Sequence, residues 1–418
     1  MGKNVKIETE EGYELVDGGA CAPAGFKANG LNCGLNSNPE KNDLGLLYSE
    51  KQCRVAAVYT LNKVKGAPVL VCKKHLAMTG GKASAVIMNS KNANTCNADG
   101  EEKAERMCAL AAEQLHLSAQ EVLVASTGVI GQILPIEPVE KHIVRLAAGL
   151  SQDRHGEAEE AIMTTDTVGK EVAVRFQIGG KWCTLGGMAK GSGMIHPNMA
   201  TTLNFITTDC LISQDLLQEA LSDVVKVTYN CLSIDGDTST NDMVLLMANG
   251  LADQEEIKTK GEEYEVFRKA LYLVMMNLTK MLAKDGEGAT KLLECICEGA
   301  PDLETAVSVA KSVVASSLFK CAVFGEDANW GRILCAVGYA DGEFDIHKVS
   351  VKMISEKGTL PVCSNGAGVP FSEEKAKEIL GEDEITVLVD LHQGDEQAKA
   401  WGCDLTYDYV KINGDYRS

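Results

Sequence analysis

Residues 190–209 read Lys190-Gly-Ser-Gly-Met-Ile-His196-Pro-Asn-Met-Ala200-Thr201-Thr202-Leu-Asn-Phe-Ile-Thr-Thr-Asp209. A glycine-rich stretch with one proline runs into a β-branched and aromatic run. That pattern predicts a loop feeding a buried strand. Two readings of Thr201-Thr202 stay open on these residues alone. Both threonines serve β propensity, or one is a nucleophile. A threonine hydroxyl is a weak nucleophile without a base beside it, and a freed α-amino group on the same residue is one known base.

Outward from this segment, strands and helices alternate. Residues 101–116 carry apolar residues at helical spacing behind an acidic first turn. EVLVAS (121–126) is a strand that breaks into Thr127-Gly128. Residues 138–150 form a helix opened by Pro138. The runs on either side of Gly179-Gly180 predict a β-hairpin. Ser213 is placed as the N-cap of a helix over 214–230, and further helices are expected over 261–284, 301–318 and 371–381. The last hundred residues alternate strand, the helix over 371–381 and strand again. The pattern is mixed α/β with hairpins, not a purely parallel sheet.

Several motifs fail on inspection. Gly191-Ser-Gly193 lacks the third glycine of a dinucleotide fingerprint, since position 196 is His196. Gly286-Glu-Gly288 follows a helix, the wrong order for that fingerprint. The Gly-Lys pairs at 81–82, 169–170 and 180–181 are followed by Ala, Glu and Trp, so none is a phosphate-binding loop. His196 is the only histidine beside the unusual segment, and a lone histidine carries no catalytic signal by itself. Fifteen cysteines include no C-x-x-C, and no H-x-x-x-H or H-E-x-x-H occurs. The closest pair, Cys295-x-Cys297, falls on a predicted strand. We read the cysteines as buried, reduced thiols acting as small hydrophobes and assign no metal ligands.

Charge narrows the partners. The 418 residues hold 40 basic and 59 acidic side chains, a net charge of −19. Residues 1–200 carry 21 basic and 22 acidic residues, and residues 201–418 carry 19 and 37. Such a chain lacks the basic footprint that nucleic acid or an anionic membrane needs. The start lacks the apolar core of a signal peptide, and no apolar run reaches the roughly 18–20 residues that span a bilayer. A cytoplasmic protein is expected.

The segment KGSGMIHPNMATTL (190–203) resembles the ornithine acetyltransferase (glutamate N-acetyltransferase) family of arginine biosynthesis. The resemblance continues through STGVIG (126–131), AIMTTDT (161–167), SIDGDTSTND (233–242), DGEGATK (285–291), GEDANWGRI (325–333) and the terminal INGDYRS. It therefore covers essentially the whole chain.

The resemblance implies a layered α-β-β-α sandwich with mixed sheets over residues 1–289. A smaller α/β domain would cover 290–418. It implies self-cleavage between Ala200 and Thr201, giving chains 1–200 and 201–418 that assemble as an α2β2 heterotetramer. Thr201 becomes the N-terminal nucleophile. Its α-amine, with an unperturbed pKa of ~7.7–8.0, is the base. Acetyl then moves from N2-acetyl-L-ornithine through Thr201 to L-glutamate. Thr127 (hydroxyl) and Gly128 (backbone N–H) donate to the oxyanion. Thr164, Lys190, Thr201, Glu287, Asn413 and Ser418 contact substrate. By charge, Lys190 suits a carboxylate and Glu287 an ammonium group. Many members end in threonine where this chain has Ser418, and the hydroxyl is kept. No cofactor is implied, and acetyl-CoA stays open as a second donor. Two rivals stay open: a self-processing amidohydrolase or aminopeptidase, and a binding protein that is never cut. With the second chain holding nearly all the negative charge, a buried apolar interface is expected between the two chains.

Overall fold

The computed structural model describes residues 5–196 and 202–414. In chain order the strands are β1 (Glu14–Val16), β2 (Phe26–Leu31), β3 (Leu44–Tyr59), β4 (Lys82–Asn89), β5 (Val122–Ser126), β6 (Glu171–Ile178), β7 (Lys181–Lys190), β8 (Leu203–Thr208), β9 (Leu232–Ser233) and β10 (Met243–Ala248). They continue as β11 (Leu292–Ala300), β12 (Ser350–Ser355), β13 (Gly358–Ser364), β14 (Ala367–Gly368), β15 (Glu384–Asp390) and β16 (Glu396–Cys403). The helices are α1 (Ala67–Thr79), α2 (Gly100–Leu115), α3 (Glu137–Ala148), α4 (His155–Glu160), α5 (Gln214–Lys226) and α6 (Glu262–Lys284). After them come α7 (Leu303–Ala315), α8 (Ser317–Phe324), α9 (Trp330–Gly338), α10 (Glu373–Leu380) and α11 (Tyr407–Asn413).

One sheet runs β1-β6-β7-β8-β10-β3-β4-β5, with β2 paired to β3. The other runs β14-β13-β12-β15-β11-β16-β9. Both mix parallel and antiparallel pairs, as the sequence pattern predicts: β8 and β10 are parallel, β7 and β8 antiparallel. Helix α6 packs on β6 and β7 of the first sheet and on β11 and β16 of the second.

The centre of the first sheet is covered on both faces. Every residue of β8 and β10 is buried. Leu203, Phe205, Met243, Leu245 and Met247 point into a core shared with β2–β5 and α1–α3. Ile206, Val244 and Leu246 point into a core shared with α5, α6 and the second sheet. Period-2 alternation thus builds two cores from one pair of strands. The β6–β7 turn uses Gly179 and Gly180 at φ 55° and 75°. Both values lie in the region that glycine reaches without a Cβ clash, which fits the twist of a two-residue hairpin.

Two helix expectations are corrected. The helix expected over 301–318 is two helices, α7 and α8, bent by 55°. Ser316 stands between them in extended backbone, and its Oγ accepts the Phe319 N–H at 3.3 Å. A serine that caps a new helix ends the old one. The helix expected over 214–230 ends at Lys226. The β-branched run Val224, Val225, Val227, Thr228 is poor helix material. Thr228 Oγ1 turns back to the Val224 carbonyl at 2.6 Å, and a 3₁₀ turn follows over Tyr229–Cys231. Ser213 does occupy the N-cap of α5, but without a side-chain capping bond.

Twelve of the fifteen cysteines are buried and all are free thiols; Cys96, Cys321 and Cys335 are exposed. Burial pushes the thiols of Cys53 and Cys72 up to about 12, so they stay protonated hydrophobes. Cys295 and Cys297 do lie on one strand, β11, and both are buried. No single helix among the described residues is long and apolar enough to cross a membrane.

Candidate active site

Three strand ends meet at one edge of the first sheet. Lys190, the last residue of β7, pairs with Leu203, the first of β8. Met243, the first of β10, pairs with Leu203 from the other side. β5 ends nearby at Ser126, and Thr127-Gly128 follows. Together they line a cavity of about 110 Å³. Thr127, Gly128, Thr164, Lys190, Glu287 and Asn413 all face it, and so do Thr202 and Asp242. Six of the residues singled out by sequence are therefore brought together. Ala200, Thr201 and Ser418 lie outside the described residues.

The strand break at Thr127-Gly128 has a stiff local frame. The Thr127 N–H donates to the Asn89 carbonyl at 3.0 Å, and the Val129 N–H donates to the Lys91 carbonyl at 3.2 Å. The Gly128 N–H between them has no acceptor among the described residues. Lys190 Nζ donates to Thr127 Oγ1 at 3.3 Å, which leaves the Thr127 proton free to point elsewhere. Gly128 sits at φ 133°, and an added Cβ would lie 2.2 Å from the Lys91 carbonyl carbon. On the oxyanion role that the resemblance implies for it, Gly128→Ala is expected to displace this N–H and to lower kcat by about 10²–10³-fold, the usual loss of one oxyanion donor. Steady-state kinetics on the folded variant check this.

Asn241 staples that frame to the β10 side. Its Nδ2 donates to the Ala93 and Ser126 carbonyls at 2.6 and 3.0 Å. Its Oδ1 accepts from Thr95 and Thr240, each at 2.6 Å. Both amide protons and both lone pairs are thus used, inside a buried site where any left over would be costly.

A buried charge cluster anchors the opposite wall. Lys170 Nζ lies 2.8 Å from Asp166 and 2.7 Å from Asp285, and all three side chains are fully buried. Asp166 also accepts the N–H groups of Thr164 and Gly191, at 3.1 and 2.6 Å. Asp285 accepts the Thr167 N–H at 2.9 Å and the Thr167 hydroxyl. The cluster thereby fixes the backbone that carries Thr164, the turn after Lys190, and the start of the Glu287 loop. Burial raises the Asp166 carboxyl, but the Lys170 and Lys190 charges and the hydrogen bonds from Lys170 and Thr164 together outweigh it and hold the group well below its ordinary range. The Lys170 ammonium is held up by the same pair against its own burial.

Glu287 and Asn413 form the remaining wall. The Glu287 N–H donates to the Ser192 carbonyl at 2.8 Å, and Asn413 Nδ2 donates to Glu287 Oε2 at 2.6 Å. Thr406 Oγ1 donates to the Gly288 carbonyl at 2.7 Å and docks the start of α11 on this loop. His196 does not face the cavity. Its Nδ1 lies 2.9 Å from Ser233 Oγ, and burial, with help from the Lys311 charge, holds its pKa down to about 4. It is neutral at pH 7 and reads as structural.

Asp166, Lys170, Asn241, Asp242 and Asp285 were not singled out from sequence. All but Lys170 fall inside segments already quoted for the resemblance. Lys170 was visible only as half of a Gly-Lys pair that failed as a phosphate loop. Among the described residues, Cys183, Asp209 and Cys210 lie close enough together to hold a metal. Asp209 already accepts the N–H groups of Thr184 and Ala24 at 2.7 and 3.1 Å, so its oxygens are engaged.

Known proteins match this chain almost end to end. The arginine biosynthesis bifunctional protein ArgJ 1 of Clostridium acetobutylicum is 50% identical over 394 residues, covering 94% of this chain and 96% of its own length. The protein of the same name, without the number, from Caldanaerobacter subterraneus is 48% identical over 406 residues, covering 97% of this chain and all of its own. The crystal structure of ornithine acetyltransferase from Mycobacterium tuberculosis, complexed with ornithine, is 37% identical with a TM-score of 0.42. It covers 45% of this chain and 100% of that one. The ArgJ family model matches residues 27–418, and the chain belongs to the ArgJ family.

Proposed function

We propose that this protein transfers the acetyl group of N2-acetyl-L-ornithine to L-glutamate in arginine biosynthesis, after cutting itself between Ala200 and Thr201. One observation carries the proposal. Thr127, Gly128, Thr164, Lys190, Glu287 and Asn413 share one cavity at the start of β8, the strand that begins two residues after Thr201. The names of the relatives give the pathway.

In the cut, Thr201 Oγ attacks the Ala200 carbonyl, the acyl group moves from nitrogen to oxygen, and water hydrolyses the ester. In catalysis, Thr201 Oγ attacks the acetyl carbonyl of acetylornithine. The Thr201 α-amine takes the hydroxyl proton and passes it to the departing ornithine nitrogen. Glutamate nitrogen then attacks the acetyl ester and frees Thr201. The Gly128 N–H and the Thr127 hydroxyl receive the oxyanion in both halves. Lys190, only 8% exposed, takes a substrate carboxylate, and Glu287 takes an ammonium group. Ser418 joins them at the chain end.

The same reading carries the α-β-β-α layering over 1–289, the smaller domain over 290–418, the cytoplasmic location and the α2β2 assembly. Incubation with acetylornithine, with and without glutamate, tests it. Acetylglutamate is expected only when glutamate is present. Free acetate with no acetylglutamate would make the protein an amidohydrolase instead. Replacing acetylornithine by acetyl-CoA in the same assay reads the second donor.

A further inference from the structure

The cavity holds one carboxylate oxygen that no bond explains. Asp242 is 3% exposed and lines the cavity, and its Oδ2 is buried without a hydrogen-bond partner among the described residues. Leaving such an atom unpaired costs on the order of 1–3 kcal/mol or more. A native fold rarely keeps one without a use.

Its position suggests the use. The Met243 N–H donates to the Thr202 carbonyl at 2.9 Å, and Met243 pairs with Leu203 in the parallel ladder. One residue upstream on these two strands stand Asp242 and Thr202. On the other side of β8, Lys190 pairs with Leu203. The start of β8 is therefore flanked by a lysine on one side and an orphaned acid on the other. The residue before Thr202 is Thr201. In the uncut chain its nitrogen is an uncharged amide. Hydrolysis of the 200/201 bond leaves a carboxylate on Ala200 and turns that nitrogen into an ammonium group.

We propose that Asp242 is the receptor for the α-amino group that cutting creates at Thr201. Its Oδ2 accepts a hydrogen bond from that nitrogen and aims it at the residue's own hydroxyl. Asp242 is thus a positioning residue and takes part in no covalent step. The inference rests on the self-cleavage reading above. It also accounts for the orphaned atom, because the partner does not exist until the chain is cut. In the uncut chain burial outweighs the Ser239 hydrogen bonds and the Lys190 charge and keeps the carboxyl well above its ordinary range. A neutral acid is the less costly form there.

The charged groups that share the cavity with Asp242 are Lys190 from β7 and Glu287 from the loop after α6. Both remain in Asp242→Asn, so the change isolates one charge. A carboxylate beside an amine raises the amine pKa, and losing it lowers that pKa. Asp242→Asn is expected to be cut normally. The acid limb of its kcat/KM profile for acetylornithine is expected to move down by about one pH unit, because that limb reports the free enzyme's base. Its kcat at pH 8 should fall about tenfold or more. A cut variant whose profile superimposes on the wild type overturns the inference. So does a folded variant that stays whole, because no receptor is needed before the amine exists.

A second measurement needs no variant. In a crystal structure of the cut wild-type protein, the Thr201 nitrogen should lie within about 3.2 Å of Asp242 Oδ2. A nitrogen bonded elsewhere overturns this inference alone. A wild-type chain that runs as one band overturns the self-cleavage reading and this inference together.

Discussion

Thr201→Ala is expected to run as a single band near the full 44.7 kDa and to transfer no acetyl group. The wild type is expected to give two fragments, residues 1–200 and 201–418. In the proposed mechanism one hydroxyl has two tasks. It opens the peptide bond before it, and it later carries the acetyl group. Without the cut no α-amine is formed, so nucleophile and base vanish together. Removing the nucleophile of a comparable serine enzyme costs on the order of 10⁶ in kcat. A loss of that size, read as acetylglutamate formed per minute, is the expected result. Thr201→Ser keeps a hydroxyl at the same atom and is the control. It should be cut and keep part of the activity. Full-rate transfer by an uncut Thr201→Ala chain would remove the mechanism.

Lys170→Met should destabilise the fold by about 3–5 kcal/mol in urea unfolding at pH 7, the usual cost of removing one member of a buried ion pair. The substitution leaves Asp166 and Asp285 facing each other with no cation between them. The pH dependence has a definite sign. Burial raises both Asp166 and Asp285, but in the wild type Lys170, with hydrogen bonds to each and the Lys190 charge acting on Asp166, holds both below their ordinary values. Their contribution is present above the unfolded carboxylate range near pH 4 and is lost as pH falls through the folded values. In the variant the same acids are buried without a cation and pay most when ionised. The stability gap between the two proteins should therefore narrow as pH falls below about 4. A gap that is constant from pH 3 to pH 8 would mean the cluster contributes packing alone. Because the cluster also fixes the Thr164 and Glu287 backbones, KM for acetylornithine should rise in whatever fraction stays folded.

Much of this is legible in the sequence. The Gly179-Gly180 hairpin and the helix entered at Pro138 follow from local chemistry, and the structure has both. The cavity residues came from seven matching segments, not from periodicity. Thr127-Gly128 taken alone is an ordinary strand end. Failures have physical causes. Ser316 breaks a helix because a side-chain cap competes with the continuing backbone, and nothing in composition says which competitor wins. Lys170 was illegible because its partners lie 4 and 115 residues away. Asp242 was illegible because an unsatisfied atom is a property of surroundings that the sequence does not list.

The strand order has a mechanical meaning. β8 and β10, which follow the proposed cut, lie between β7 and β3, which precede it. The two segments are threaded into one sheet like interlaced fingers, each hydrogen-bonded to the other along two separate seams. A nick before β8 thus creates a new chain end without creating a new sheet edge. Neither half holds the first sheet on its own, so pulling the two apart means breaking that sheet. Severing the backbone costs this architecture a covalent link and almost none of its cohesion.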